Sequence, residues 1–135
     1  MPTERRQVYI LYIGFYASKP MAGGRLGRLF TKPLQGALNL LILKALRRGP
    51  MHGYGITVMI QQASKEVLEI EEGSLYPALH KMEHEGWLTS EWAVSDTNRR
   101  VRFYKLTAKG ERQLEADEQE YRRVSAAIAR ALRYV

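Results

Sequence analysis

Between Arg99 and Lys105 the chain carries four cations in seven residues, Arg99, Arg100, Arg102 and Lys105, with only Asp96 opposing them nearby. Strand alternation would put Arg100 and Arg102 on one side and Val101 and Phe103 on the other. Arginine at the tip of a hairpin suits a narrow minor groove or a pair of phosphates, because its planar fork presents several donors at once. The competing reading is a charged edge strand that guards against aggregation. A second constellation is His80-Lys-Met-Glu-His84, which satisfies the H-x-x-E-H pattern of zinc peptidases. Its two histidines would lie one helical turn apart with Glu83 as a general base. The chain is small, offers no evident third ligand or substrate-binding module, and has no Gly-rich phosphate loop or nucleophile elbow. We therefore expect no enzyme, no metal and no cofactor.

The elements that would position these residues follow from periodicity. Leu34, Ala37, Leu38, Leu41, Ile42, Ala45 and Leu46 recur at three-and-four spacing, with Leu40 and Leu43 widening the face. A helix apolar over so much of its circumference packs on more than one neighbour. Gly49 and Pro50 end it. A second helix is expected over residues 53–64, with Ile56, Met59, Ile60 and Ala63 inward. A third is expected near Ser74, which would cap it, with Pro77 in the first turn. Leu75, Ala78, Leu79 and Met82 would be its buried face, leaving Pro77, His80, Lys81 and His84 outward and Ser74 and Tyr76 on the flanks. Residues 87–94 and 101–106 read as a hairpin with a polar tip, and Trp87 and Trp92 as its core. Thr107 offers the N-cap of a last helix, in which Leu114, Tyr121, Ile128 and Val135 recur every seven residues with Val124 and Ala131 between them.

The 135 residues suit one domain with short appendages. The net charge of +7 favours a polyanionic partner. Six basic residues against Glu4 fall within the first 32, which leaves +2 for the remainder. A DNA site in the folded part must therefore be local. The chain has no cysteine, which excludes disulfides and thiolate chemistry and permits a reducing compartment, with the cytoplasm as the default. The longest apolar run, residues 8–17, is half of what a spanning helix needs, so no membrane role is expected. Residues 1–30 are basic, then rich in aromatic and β-prone residues, then glycine-rich. They are expected to be an N-terminal extension, flexible or upstream of a natural start at Met21; a DNA-touching arm and a secretory signal are the competing readings.

Five blocks together carry a resemblance. They are Leu34-Gln-Gly-Ala-Leu-Asn-Leu-Leu-Ile-Leu-Lys-Ala-Leu46, Met51-His-Gly-Tyr-Gly-Ile56, Glu72-Gly-Ser-Leu-Tyr-Pro-Ala-Leu79, Glu83-His-Glu-Gly-Trp87 and Phe103-Tyr-Lys-Leu-Thr-Ala-Lys-Gly110. In this order they resemble the PadR family of transcriptional regulators, over about residues 33–133. The single long C-terminal helix is similar to the family's short subclass.

The resemblance implies a mainly α fold with a small β-hairpin: a winged helix-turn-helix over residues 31–106 and a dimerisation helix over residues 107–135. It implies that the third helix enters the major groove, with Ser74, Tyr76, Pro77, His80 and Lys81 as contacts, and that Asn98, Arg99, Arg100 and Arg102 of the wing lie along the backbone or minor groove. The first and last helices would form the dimer through Leu38, Leu41, Leu114, Tyr121, Val124 and Ile128. The expected partners are a pseudo-palindromic double-stranded operator, a second copy of the chain, and a small-molecule effector that no residue cluster specifies. The expected function is regulation of transcription, by repression relieved by a signal. The reading from a different class is a protein-interaction module that does not read DNA.

Overall fold

The computed structural model describes residues 37–94 and 96–134. The expectations for residues 1–36, the extension among them, lie outside the described residues, as does Val135 of the seam. Helix α1 (Leu38–Leu46) buries Leu38, Ile42, Leu43, Ala45 and Leu46. Gly49 follows it with φ +148°, a region that side-chain-bearing residues rarely adopt. Next come strand β1 (Met51–His52), helix α2 (Gly53–Ala63), helix α3 (Glu72–His84), strands β2 (Leu88–Val94) and β3 (Arg100–Leu106), and helix α4 (Ala108–Tyr134). The fold is mainly α with one small antiparallel sheet. α1, α2 and α3 share a core with the base of the sheet, where Ile42, Leu43, Met51, Ile56, Leu75, Leu79, Met82, Leu88 and Leu114 are almost fully enclosed.

The expected hairpin gains a third strand. Met51 pairs with Tyr104 and His52 with Phe103, so β3 is central, in the order β1-β3-β2. β2 and β3 pair from Leu88↔Leu106 to Val94↔Arg100. His52 also caps α2: its Nδ1 accepts the Gly55 N–H at 2.9 Å. The proton of the neutral ring therefore sits on Nε2, which is buried and without a hydrogen-bond partner. The ring packs 5.5 Å from that of Phe103. Burial holds its pKa down at about 4.

Three sequence expectations are corrected. α3 begins at Glu72 after Glu71, whose carbonyl accepts the N–H groups of both Ser74 and Leu75; Ser74 lies inside the helix and does not cap it. Pro77 is consequently interior, and removes the bond that the Gly73 carbonyl would have accepted. Trp92 is not hairpin core, because the sheet outgrows the helices beneath it and leaves this ring 55% exposed. In α2 the inward residues include Thr57 and Val58, while Met59 is half-buried and Ala63 exposed.

The end of α3 and the start of α4 form one joint. Gly86, at φ +82°, turns the chain while its N–H bonds to Glu83 O and that of Trp87 bonds to Met82 O, a Schellman arrangement. The Thr107 hydroxyl shares its one proton between the carbonyls of Gly86 (2.7 Å) and Trp87 (3.0 Å), and accepts the Gly110 N–H (2.9 Å) as the N-cap of α4. Gly110 rests against the backbone of Trp87, so closely that a Cβ there would collide with the Trp87 carbonyl oxygen.

Two predictions follow from these contacts. Gly110→Ala should lower stability by about 3 kcal/mol, since the obstructing atom is backbone and cannot swing aside; urea denaturation followed by circular dichroism would measure this. For His52, the folded pKa is depressed below the unfolded value, so the unfolded state binds more protons between them. Stability should be complete above about pH 6.5 and fall by up to about 3 kcal/mol as the pH drops towards 4. His52→Asn keeps a capping acceptor but does not titrate, so it should flatten this part of the profile.

Candidate nucleic-acid interface

Leu75, Leu79 and Met82 fix α3 by pointing into the core. The opposite face is the one expected from the sequence: Tyr76, Pro77, His80, Lys81 and His84 are exposed, and Ser74 is half-buried. Tyr76 leans over Gly53 of α2, where a Cβ would lie 3.1 Å from its ring and hydroxyl. The missing side chain thus sets the approach of α2 to α3. Burial and the Glu72 carboxylate both raise the Tyr76 pKa. Glu71 and Glu72 stand at the start of α3, so phosphate would approach that end against their charge.

The wing turns at residues 96–98, where Asn98 adopts the left-handed φ of +59°, a conformation asparagine tolerates better than most residues. Asn98, Arg99, Arg100 and Lys105 are exposed. Arg102 is different. Its Nε donates to Ser90 Oγ at 2.8 Å, Ser90 Oγ donates to Glu83 Oε2 at 2.6 Å, and Arg102 Nη2 lies 3.4 Å from that same carboxylate oxygen. The guanidinium carbons of Arg100 and Arg102 lie 4.8 and 5.6 Å from the centre of the exposed Trp92 ring. Sequence reasoning missed Glu83, Ser90 and Trp92 as members of this surface. Cross-strand pairing of Trp92 with Arg102 was the available signal, once the hairpin register was fixed.

The H-x-x-E-H residues do not converge. Glu83 is committed to Ser90 and Arg102. Among the described residues no group of three or more His, Cys, Asp or Glu side chains is placed to hold a metal.

The residues expected at a dimer seam divide into two sets. Leu38 and Leu114 are enclosed in the subunit's own core. Leu41 is half-buried, while Tyr121, Val124, Ile128 and Leu132 are exposed along one side of α4. Lys44 to Glu118 (2.9 Å) and Arg47 to Glu111 (3.7 Å) join α1 to α4. An open groove of about 730 Å³ runs beside α1 and the end of α2, floored by Leu41, Ala45, Met59, Ile60 and Leu68. It adjoins a second of about 460 Å³ between Leu40, Leu41 and Tyr121. No helix among the described residues is long and apolar enough to cross a membrane.

Comparison with known proteins places these features in a family. The pattern of the Transcriptional regulator PadR-like family matches residues 42–116. The chain is 35% identical over 83 residues to Transcriptional regulator Rv3488 of Mycobacterium tuberculosis, an alignment covering 62% of this chain and 74% of that protein. It is 30% identical over 77 residues to Negative transcriptional regulator PadR of Bacillus subtilis, covering 57% of this chain but only 42% of the relative's length. Among solved structures, a PadR-like transcriptional regulator from Bacillus cereus superposes with a TM-score of 0.64 at 27% identity, over 75% of this chain and 96% of that one. A transcriptional regulator from Clostridium thermocellum gives 0.67 at 25% identity, over 73% and 96%.

Proposed function

Because the chain belongs to the PadR-like family of transcriptional regulators, we propose that it is a sequence-specific DNA-binding regulator that acts as a homodimer on a pseudo-palindromic operator. The observation that carries this reading is the juxtaposition of the outer face of α3 with a cationic wing, joined through Arg102 and Glu83. α3 enters the major groove, with His80 and Lys81 towards base edges and Ser74, Tyr76 and Pro77 towards the backbone. Asn98, Arg99 and Arg100 follow the neighbouring phosphates or minor groove. The chain works in the cytoplasm and represses by occupying its operator, until a signal alters the spacing of the two α3 helices. The word "negative" in the name of the Bacillus subtilis relative supports repression.

The dimer rests on unsatisfied apolar surface. A 27-residue helix is about 40 Å long, and only its first turns, at Gly110 and Leu114, are buried in the subunit. Tyr121, Val124, Ile128 and Leu132 continue at three-and-four spacing with no cover. The grooves beside Leu41 offer a complementary apolar floor to a second copy. Two-fold pairing would set two reading helices about one helical turn of DNA apart.

Binding to a duplex from upstream of the protein's own gene should be preferred over a scrambled duplex, and should weaken by roughly three to five orders of magnitude between 50 and 200 mM salt. Fluorescence anisotropy would measure it; a flat salt response with no preference would favour the interaction-module reading. Ile128→Glu alters a residue 55% exposed in the subunit, so the fold should survive. Sedimentation should then find a monomer, with DNA affinity about 10²- to 10⁴-fold lower.

A further inference from the structure

Arg102 sits among the wing cations, yet its surroundings differ from those of Arg100. Its Nε and Nη2 are engaged by Ser90 Oγ and the Glu83 carboxylate, and its guanidinium carbon lies over the Trp92 ring. Turning it towards a phosphate would break these contacts and leave the Glu83 carboxylate bare beside a polyanion. Trp92 needs its own explanation, being a large ring left 55% exposed in a small domain. Arg102 is its direct cross-strand neighbour and Arg100 a diagonal one, so both guanidiniums reach it. Two cations gathered at one ring repel each other. The Glu83 carboxylate offsets the charge on Arg102, and the charge on Arg100 is then presented outward.

We propose that Arg102 is a positioning residue for DNA recognition and not a phosphate ligand: through Ser90 and Glu83 it locks the wing to α3, and through Trp92 it holds Arg100, which makes the phosphate contact. The assignment rests on the DNA-binding reading above and deepens it. It also gives Glu83 a purpose. An acidic residue on the helix that faces DNA costs affinity unless it organises something else.

The test uses the full chain and a fixed duplex of random sequence, with the association constant followed from about 50 to 200 mM salt. Arg100→Gln should reduce the slope of log K against log salt by about 0.9 per subunit, the signature of one lost phosphate contact. Arg102→Gln should leave the slope unchanged while lowering affinity roughly five- to tenfold. Glu83→Ala is the sharpest arm. Simple charge repulsion predicts tighter binding when the carboxylate is removed, whereas positioning predicts weaker binding by a similar factor, with the double variant no worse than either single one. A slope lost in Arg102→Gln as in Arg100→Gln, or tighter binding by Glu83→Ala, would overturn the assignment.

A second arm needs no DNA. In a Trp87→Phe background Trp92 is the sole tryptophan of the chain. Its quenching by acrylamide should rise in Glu83→Ala and in Arg102→Gln as the clasp opens; unchanged quenching would overturn the lock by itself. A wild-type protein whose binding ignores salt would overturn the DNA-binding reading, and the phosphate assignment with it.

Discussion

The approach of α4 to the backbone at Trp87 is the constraint on which the other elements depend. Thr107 shares one hydroxyl proton between the Gly86 and Trp87 carbonyls, just past the end of α3, and caps α4 with the same oxygen. Gly110, lacking a Cβ, lets the first turn of α4 rest on Trp87 O. The end of α3, the residue before β2 and the start of α4 therefore meet at one point. Leu114 then enters the core as the last buried residue of α4, and the rest of the helix leaves the subunit. The joint thus couples the direction in which α4 leaves the core to the end of α3.

Charge is distributed in keeping with that geometry. The pairs between α1 and α4 are solvent-exposed and each contributes little, so the burial of Leu114 and its neighbours holds these helices together. At the wing, by contrast, the carboxylate of Glu83 lies between elements and is shared by Ser90 and Arg102. Such a linked group has more influence on orientation than on stability. It also offsets the charge of Arg102, which leaves the uncompensated positive charge of the wing nearer its tip.

Much of this was legible in the residues. The spacing of Leu75, Leu79 and Met82 identified the outer face of α3, Thr107 announced the start of α4, and five ordered blocks pointed to the family. What was hidden depended on contacts between distant parts of the chain. β1 has two residues, too few for any period, and exists because it pairs with Phe103 and Tyr104 on the side of β3 away from β2. Ser74 looked like a cap because a hydroxyl before an apolar run usually is one. The burial of Leu75, Leu79 and Met82 fixes the helix axis regardless, and the chain from Glu72 enters it a turn earlier. Trp92, like Trp87, read as hairpin core, but the residues of a hairpin cannot say how far its sheet extends beyond the helices that cover it. The heptad of α4 likewise joined Leu114 to Tyr121, although the helix passes out of the core between them.

The proposed function requires two copies of α3, held by paired α4 helices, to read DNA symmetrically. Selection of bound duplexes from a random-sequence pool tests it most directly, since the pool imposes neither a motif nor a symmetry. A symmetric dimer should enrich an inverted repeat whose half-site centres lie about 10 base pairs apart or a multiple of that. A single asymmetric motif would contradict the symmetric dimer, and a pool left unenriched after repeated rounds would contradict sequence reading altogether.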